Sequence, residues 1–249
     1  MRRLGLWCLG VGAGLILVTA PGVRAVADDP ATGAGSLVLA AGQADYLSLE
    51  PILVRVELKG SAARGLPPAP GKGESGALKF LVEPQVKPRA NARALPEEAR
   101  NAGAGVQARK YDLLEWFQFP DKGGTWTVRA AFEEGGNTVL SAPVSVTIRT
   151  PEPTDADFAA MTRLHHIPWS NYETNAFCGD TFDVVKKWPD SRFAKYCHYW
   201  SARYSQQQKD YDKAVASYRA MLASAPDFLL ADDARRGIEA CEQARNAAQ

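Results

Sequence analysis

Cysteine and histidine are the residue types in this chain best able to do chemistry. Cys178, Cys197 and Cys241 lie in its C-terminal half, as do His165, His166 and His198. A thiol becomes a nucleophile at a helix N-terminus, beside a histidine that a third group orients. The stretch NAFCGDTF, residues 175 to 182, offers Cys178 such a terminus, but no nucleophile motif surrounds it. Adjacent histidines on a helix point about 100° apart, so His165 and His166 do not converge on one metal ion. With no acid pair, nucleophile elbow or metal-ligand cluster, the sequence supplies no catalytic, cofactor-binding or metal-binding residue.

Thiols can also bridge. Cys178 lies eleven residues before Pro189 and Cys197 eight after it. In an antiparallel helical hairpin turning at Pro189, the two thiols would differ in height by roughly 5 Å. That spacing predicts a Cys178–Cys197 disulfide if the chain reaches an oxidising compartment, with three buried free thiols as the alternative.

An export signal is present. Arg2 and Arg3 precede an uncharged apolar run, residues 4 to 18, and Ala25-Val26-Ala27 follows. This is the pattern of a signal peptide over 1–27, cleaved after Ala27. The run is 15 residues long, short of the roughly 20 that span a bilayer. Removing Arg2, Arg3 and Arg24 leaves 26 basic against 28 acidic residues, a formal charge of −2. Such a balance gives no basic surface for nucleic acid, and the mature chain holds no integral membrane segment.

The elements that would position these residues come in two rhythms. Residues 28–35 read as a disordered leader. From 36 to 149 the period is two: Ile52, Val54, Val56 and Leu58 share one face, and so do Trp126, Val128, Ala130 and Phe132. Residues 144 to 149, 37 to 41, 78 to 83 and 111 to 119 add further strand candidates. Gly123-Gly124 and Gly135-Gly136-Asn137 mark turns. The stretches 60–76 and 84–105 are rich in Gly, Pro and Ala, without period, and read as mobile surface loops. A Pro-containing linker at 150–154 follows, in which Thr154 and Asp157 form a helix-capping pattern.

From 155 to 246 the period is helical, with helices expected at about 155–166, 173–187, 191–207, 210–224 and 227–246. Phe193, Cys197, Trp200 and Tyr204 share one face of the third. Tyr196, Tyr199 and Arg203 form a second stripe, whose amphipathic side chains suit contact with a protein partner. Asp232-Asp233 and Arg235-Arg236 read as a solvated face with i,i+3 pairing.

Two resemblances follow. DYDKAVASYRAMLASAPDF, residues 210 to 228, resembles the second half of a tetratricopeptide repeat: Ala214, Tyr218 and Pro226 stand at its small, aromatic and proline positions, Tyr211 and Ala202 at two further ones. The resemblance spans about 191–245. It implies antiparallel helix pairs, with Tyr196, Tyr199 and Arg203 lining a peptide-binding groove. It also implies that Cys197 and Cys241 lie on parallel first helices, too far apart to bridge. YLSLEPILVRVEL with FPDKGGTWTVRAAFEEGGNTVLSAPVSVTI is similar to bacterial extracellular Ig-like domains. The expected fold is therefore an Ig-like antiparallel β-sandwich followed by a tetratricopeptide-like α-helical hairpin domain. The expected function is a non-catalytic, exported interaction or scaffold protein, secreted or periplasmic, with a protein partner in the periplasm or cell envelope. A thiol-dependent hydrolase between the domains and a carbohydrate-binding module displaying Trp116 and Trp126 are the alternatives.

Overall fold

The computed structural model describes residues 24–26, 36–60, 66, 77–89, 100–101, 106–134, 136–164 and 175–247. The expected signal peptide up to residue 23, the expected leader 28–35, most of both loop stretches and His165-His166 lie outside them.

The strands are β1 Arg24–Val26, β2 Ser36–Ala41, β3 Asp45–Leu47, β4 Leu53–Lys59, β5 Ala77–Glu83, β6 Lys87–Pro88, β7 Arg100–Asn101, β8 Val106–Asp112, β9 Phe117–Gln118, β10 Gly124–Glu134, β11 Asn137–Leu140 and β12 Val144–Arg149. Sheet A has the order β1-β2-β4-β8-β7. Sheet B runs β11-β10-β12-β3, with β5 also on β10, and β6 pairs with β9 apart from both. Alternation decides which residues these strands bury. Val54, Val56 and Leu58 of sheet A and Trp126, Val128, Ala130 and Phe132 of sheet B share one core. At the β10–β11 hairpin, Glu134 pairs with Asn137, and Gly136 supplies the left-handed residue, with φ of +85°, that a tight turn needs.

The helices are α1 Leu113–Trp116, α2 Ala156–Leu164, α3 Asn175–Lys187, α4 Ala194–Gln207, α5 Tyr211–Ser224 and α6 Ala231–Ala247. Helix α1 interrupts the expected strand 111–119. Asp112 accepts from the Leu114 N–H as its cap, and Leu113 and Trp116, three apart, are both buried. The apolar core of α2–α6 contains Phe193, Cys197, Trp200, Tyr218, Met221 and Leu230, and it also takes in Leu47 of β3 and Leu53 of β4.

This corrects the expected class. Strand β3 pairs with β12 in parallel, so sheet B is mixed and the β region is not an antiparallel Ig-like sandwich. Nor do the helices form a tetratricopeptide-like hairpin domain of their own, because two strands contribute to their core. Alternation fixes a strand's faces; it does not fix its neighbour or direction. The 84–105 stretch likewise holds two short strands, β6 and β7, and Leu66 within 60–76 is buried. Arg24–Val26, just before the expected cleavage point, pairs as an edge strand with Val38–Ala40.

Candidate functional site

Among the described residues, a dense cluster of polar side chains lies where α4 meets the turn between β3 and β4. That turn is tight: the Glu50 N–H bonds the Leu47 carbonyl at 3.0 Å, and Leu49 holds a left-handed φ of +66°. A leucine avoids that region unless its surroundings impose it. Glu50 helps to impose it, because its Oε2 accepts the Leu47 N–H at 2.8 Å.

The carboxylate of Glu50 is fully buried and reaches across to α4. Tyr196 donates its hydroxyl to Oε1 at 3.0 Å, Lys195 Nζ lies 3.3 Å from Oε1 and Arg192 Nη2 lies 3.2 Å from Oε2. Gln43 donates to Oε1 at 2.7 Å and accepts from Lys195 at 3.1 Å. Arg192 also grips Asp45, through Nη1 to Oδ2 at 2.7 Å and Nη2 to the carbonyl at 2.6 Å. Asp157, together with Thr154, was expected to form the capping pattern at the start of α2. It accepts instead from Ser191 Oγ and the Arg192 N–H, fixing the approach to α4.

Two aromatic rings complete the site. Tyr196 and Phe228 meet edge to face at 4.9 Å, and Lys195 Nζ lies 4.9 Å and 5.3 Å from their centroids. Burial lowers the Lys195 pKa, opposed by the Glu50 charge. Burial raises that of Tyr196 well above the usual phenol range, with Glu50 adding to the effect. The hydroxyl is therefore held as a donor, and the Lys195 nitrogen sits between a carboxylate and two rings. A second tie joins the same parts: Asp233 of α6 is buried and pairs with Lys110 of β8 and Arg236. Of the expected solvated face, Asp232 and Arg235 are exposed and Arg236 is partly so, while Asp233 is buried.

The residues singled out in the sequence fall differently. Tyr196 is in this junction, 1% exposed, and Tyr199 is 4% exposed, packed edge-on against Trp200 and Tyr218. Only Arg203 of that stripe is half-buried, so the three do not line an open groove. The reason is that Tyr196 reaches Glu50 and the Pro51 carbonyl between β3 and β4, while Tyr199 packs against Tyr218 of α5. Cys197 is a fully buried free thiol, so the expected bridge to Cys178 is not formed. Cys178 stands on α3; its side chain lies outside the description. Burial raises the Cys197 pKa well above normal and that of Cys241 too, opposite to what a nucleophile needs. Trp116 and Trp126 are buried and offer no exposed platform for a sugar. Burial lowers the His198 pKa.

Sequence reading missed Glu50, Arg192 and Lys195. One signal was available: in YLSLEPILV, Glu50 is the lone charge within an apolar stretch, and a charge placed so must be paired when folded. No protein-family model matches the chain, and a search of curated proteins returns no match.

Proposed function

We propose that the chain is an exported, non-catalytic interaction or scaffold protein of the cell envelope that holds a protein partner through its helices. One observation supports this reading above others. The polar side chains best placed for chemistry, Glu50, Lys195, Tyr196 and Arg192, bind one another across the junction. They fix the helices on the sheets at one geometry, which suits presentation of a surface. The partner surface then lies on the exposed side of the helices, near Lys209 and Lys213, whose side chains face water. Residues 1–27 support export, and among the described residues no helix is long and apolar enough to cross a membrane.

Lysine crosslinking in intact cells, followed by mass spectrometry, tests this. The chain should begin at Asp28, and Lys209 or Lys213 should crosslink to one recurring envelope protein. An uncleaved N-terminus with cytoplasmic retention, or crosslinks scattered over unrelated proteins, would refute it.

A further inference from the structure

Among the described residues, a buried charge away from the junction has no acidic side chain bonded to it. Arg109 is 9% exposed, and its Nε and Nη1 have no hydrogen-bond partner. Removing a guanidinium from water without supplying an anion is strongly unfavourable, and buried polar groups in folded proteins are as a rule satisfied.

The strand register says where it sits. On β8, Gln107, Arg109 and Tyr111 alternate with Ala108, Lys110 and Asp112. Tyr111 is part of the core between the sheets, so Arg109 shares the inward face. Val56 stands opposite Arg109, Leu58 opposite Gln107 and Val54 opposite Tyr111, and all three are in that core. The Leu66 N–H donates to Gln107 Oε1 at 2.8 Å, which brings a further apolar residue to this end of the sheet. A second buried donor nearby also lacks an acceptor: Trp116 Nε1, on a ring that meets Tyr111 edge-on at 5.6 Å. The acids closest along the strands, Asp112 on β8 and Glu57 on β4, alternate onto the opposite face.

We propose that Arg109 anchors a carboxylate-binding site at this end of the core between the two sheets, separate from the helices. One buried cation is neutralised by a monoanion, whereas a phosphate dianion would leave a net negative charge in an apolar surrounding. A guanidinium matches a carboxylate in shape and charge, and Val56, Leu58 and Leu66 suit an apolar body attached to it. Both a free organic acid and the C-terminus of an apolar peptide carry that chemistry.

Thermal melts and titration calorimetry of the mature chain, at constant ionic strength, test the site. The probes are isovalerate, an apolar tripeptide with a free C-terminus, the same tripeptide amidated, and inorganic phosphate. The free carboxylates should raise the Tm with concentration, while the amide and phosphate should not. Arg109→Met should bind about tenfold to a hundredfold more weakly. Tighter binding of the tripeptide assigns a chain terminus, and tighter binding of isovalerate a free acid. Should Arg109→Met not fold, the Arg109 Nε–H resonance of the unaltered protein must still shift on saturation with the better probe. The site is overturned if carboxylates leave the melt and that resonance unchanged, if they act equally on Arg109→Met, or if phosphate or the amide acts as they do.

Discussion

Glu50 and Arg109 are both charged side chains withdrawn from water, and they differ in how the protein answers the charge. Around Glu50 five donors converge from a turn, a strand end and a helix. Around Arg109 there are apolar neighbours and two idle nitrogens. A paired charge fixes architecture, because its geometry is determined on every side. An unpaired one is a demand for a counter-ion that the described part of the fold does not meet. Asp112 falls between them. Its Oδ1 accepts from the Ile52 and Leu114 N–H groups at 2.9 and 3.0 Å, while Oδ2 is buried without a partner.

The largest effect should come from reversing the two cases. Glu50→Ala leaves Arg192 and Lys195 facing each other without their carboxylate and frees the strained Leu49 turn. Urea unfolding should show a loss of about 3–5 kcal/mol. Arg109→Met removes an uncompensated charge, and the ligand-free protein should be as stable as the parent or more so. Equal losses from both substitutions would erase the distinction between them.

Asp112 should respond to pH in a way neither of the others does. Burial pushes its pKa up to about 7 from an ordinary 3.8, with the Glu115 charge adding to it. Between those values the native state holds a proton that the unfolded state has released. Stability from this group is therefore full below about pH 4 and falls as pH rises to about 7, by roughly 4 kcal/mol in all. Asp112→Asn should flatten that slope relative to the parent, most visibly in melts at pH 5 and 8. Parallel profiles for the two proteins would mean that Asp112 is ionised throughout.

Legibility in the sequence followed the range of the interaction. Strands such as 53–59 and 124–134 and helices such as 211–224 could be read because their periods are local. The parallel pairing of β3 with β12 could not, since it joins segments about a hundred residues apart that no local period relates. Tyr196, Tyr199 and Arg203 were recognised as one stripe, but helical spacing says only that they face alike. Whether that direction holds solvent or another element depends on the Glu50 turn, roughly 145 residues earlier. Glu50 itself was visible as an isolated charge; its partners were not.

The helical core offers a test of packing rather than charge, with a smaller effect. On α6, Gly237 presses against α5: a Cβ there would lie 2.5 Å from the Tyr218 ring. That ring is 1% exposed and its hydroxyl donates to Gln206 at 3.0 Å, so it cannot swing aside freely. Gly237→Ala gains helix propensity of up to about 1 kcal/mol but overpacks the contact, at about 1–3 kcal/mol. The net should be a loss of about 1 kcal/mol in urea unfolding. Tyr218→Leu in the same chain should relieve the overlap, so the double substitution should cost less than the sum of the single ones.

The smallest effect sharpens the comparison from its solvent-exposed end. Arg219 and Glu242 pair between α5 and α6 at 2.9 Å, with side chains 65% and 38% exposed. Their separation is shorter than that of Glu50 from either of its cations, so distance alone would rank this pair higher. Water reverses the ranking, because exposed partners regain hydration when separated and salt screens what attraction they have. A double-mutant cycle with Arg219→Ala and Glu242→Ala should give a coupling of about 0.5 kcal/mol or less, vanishing in molar salt. The coupling between Glu50 and Lys195, measured the same way, should survive that salt because the carboxylate is fully buried. If both couplings faded together, the junction would be open to solvent, and Glu50 could not be what holds the helices on the sheets.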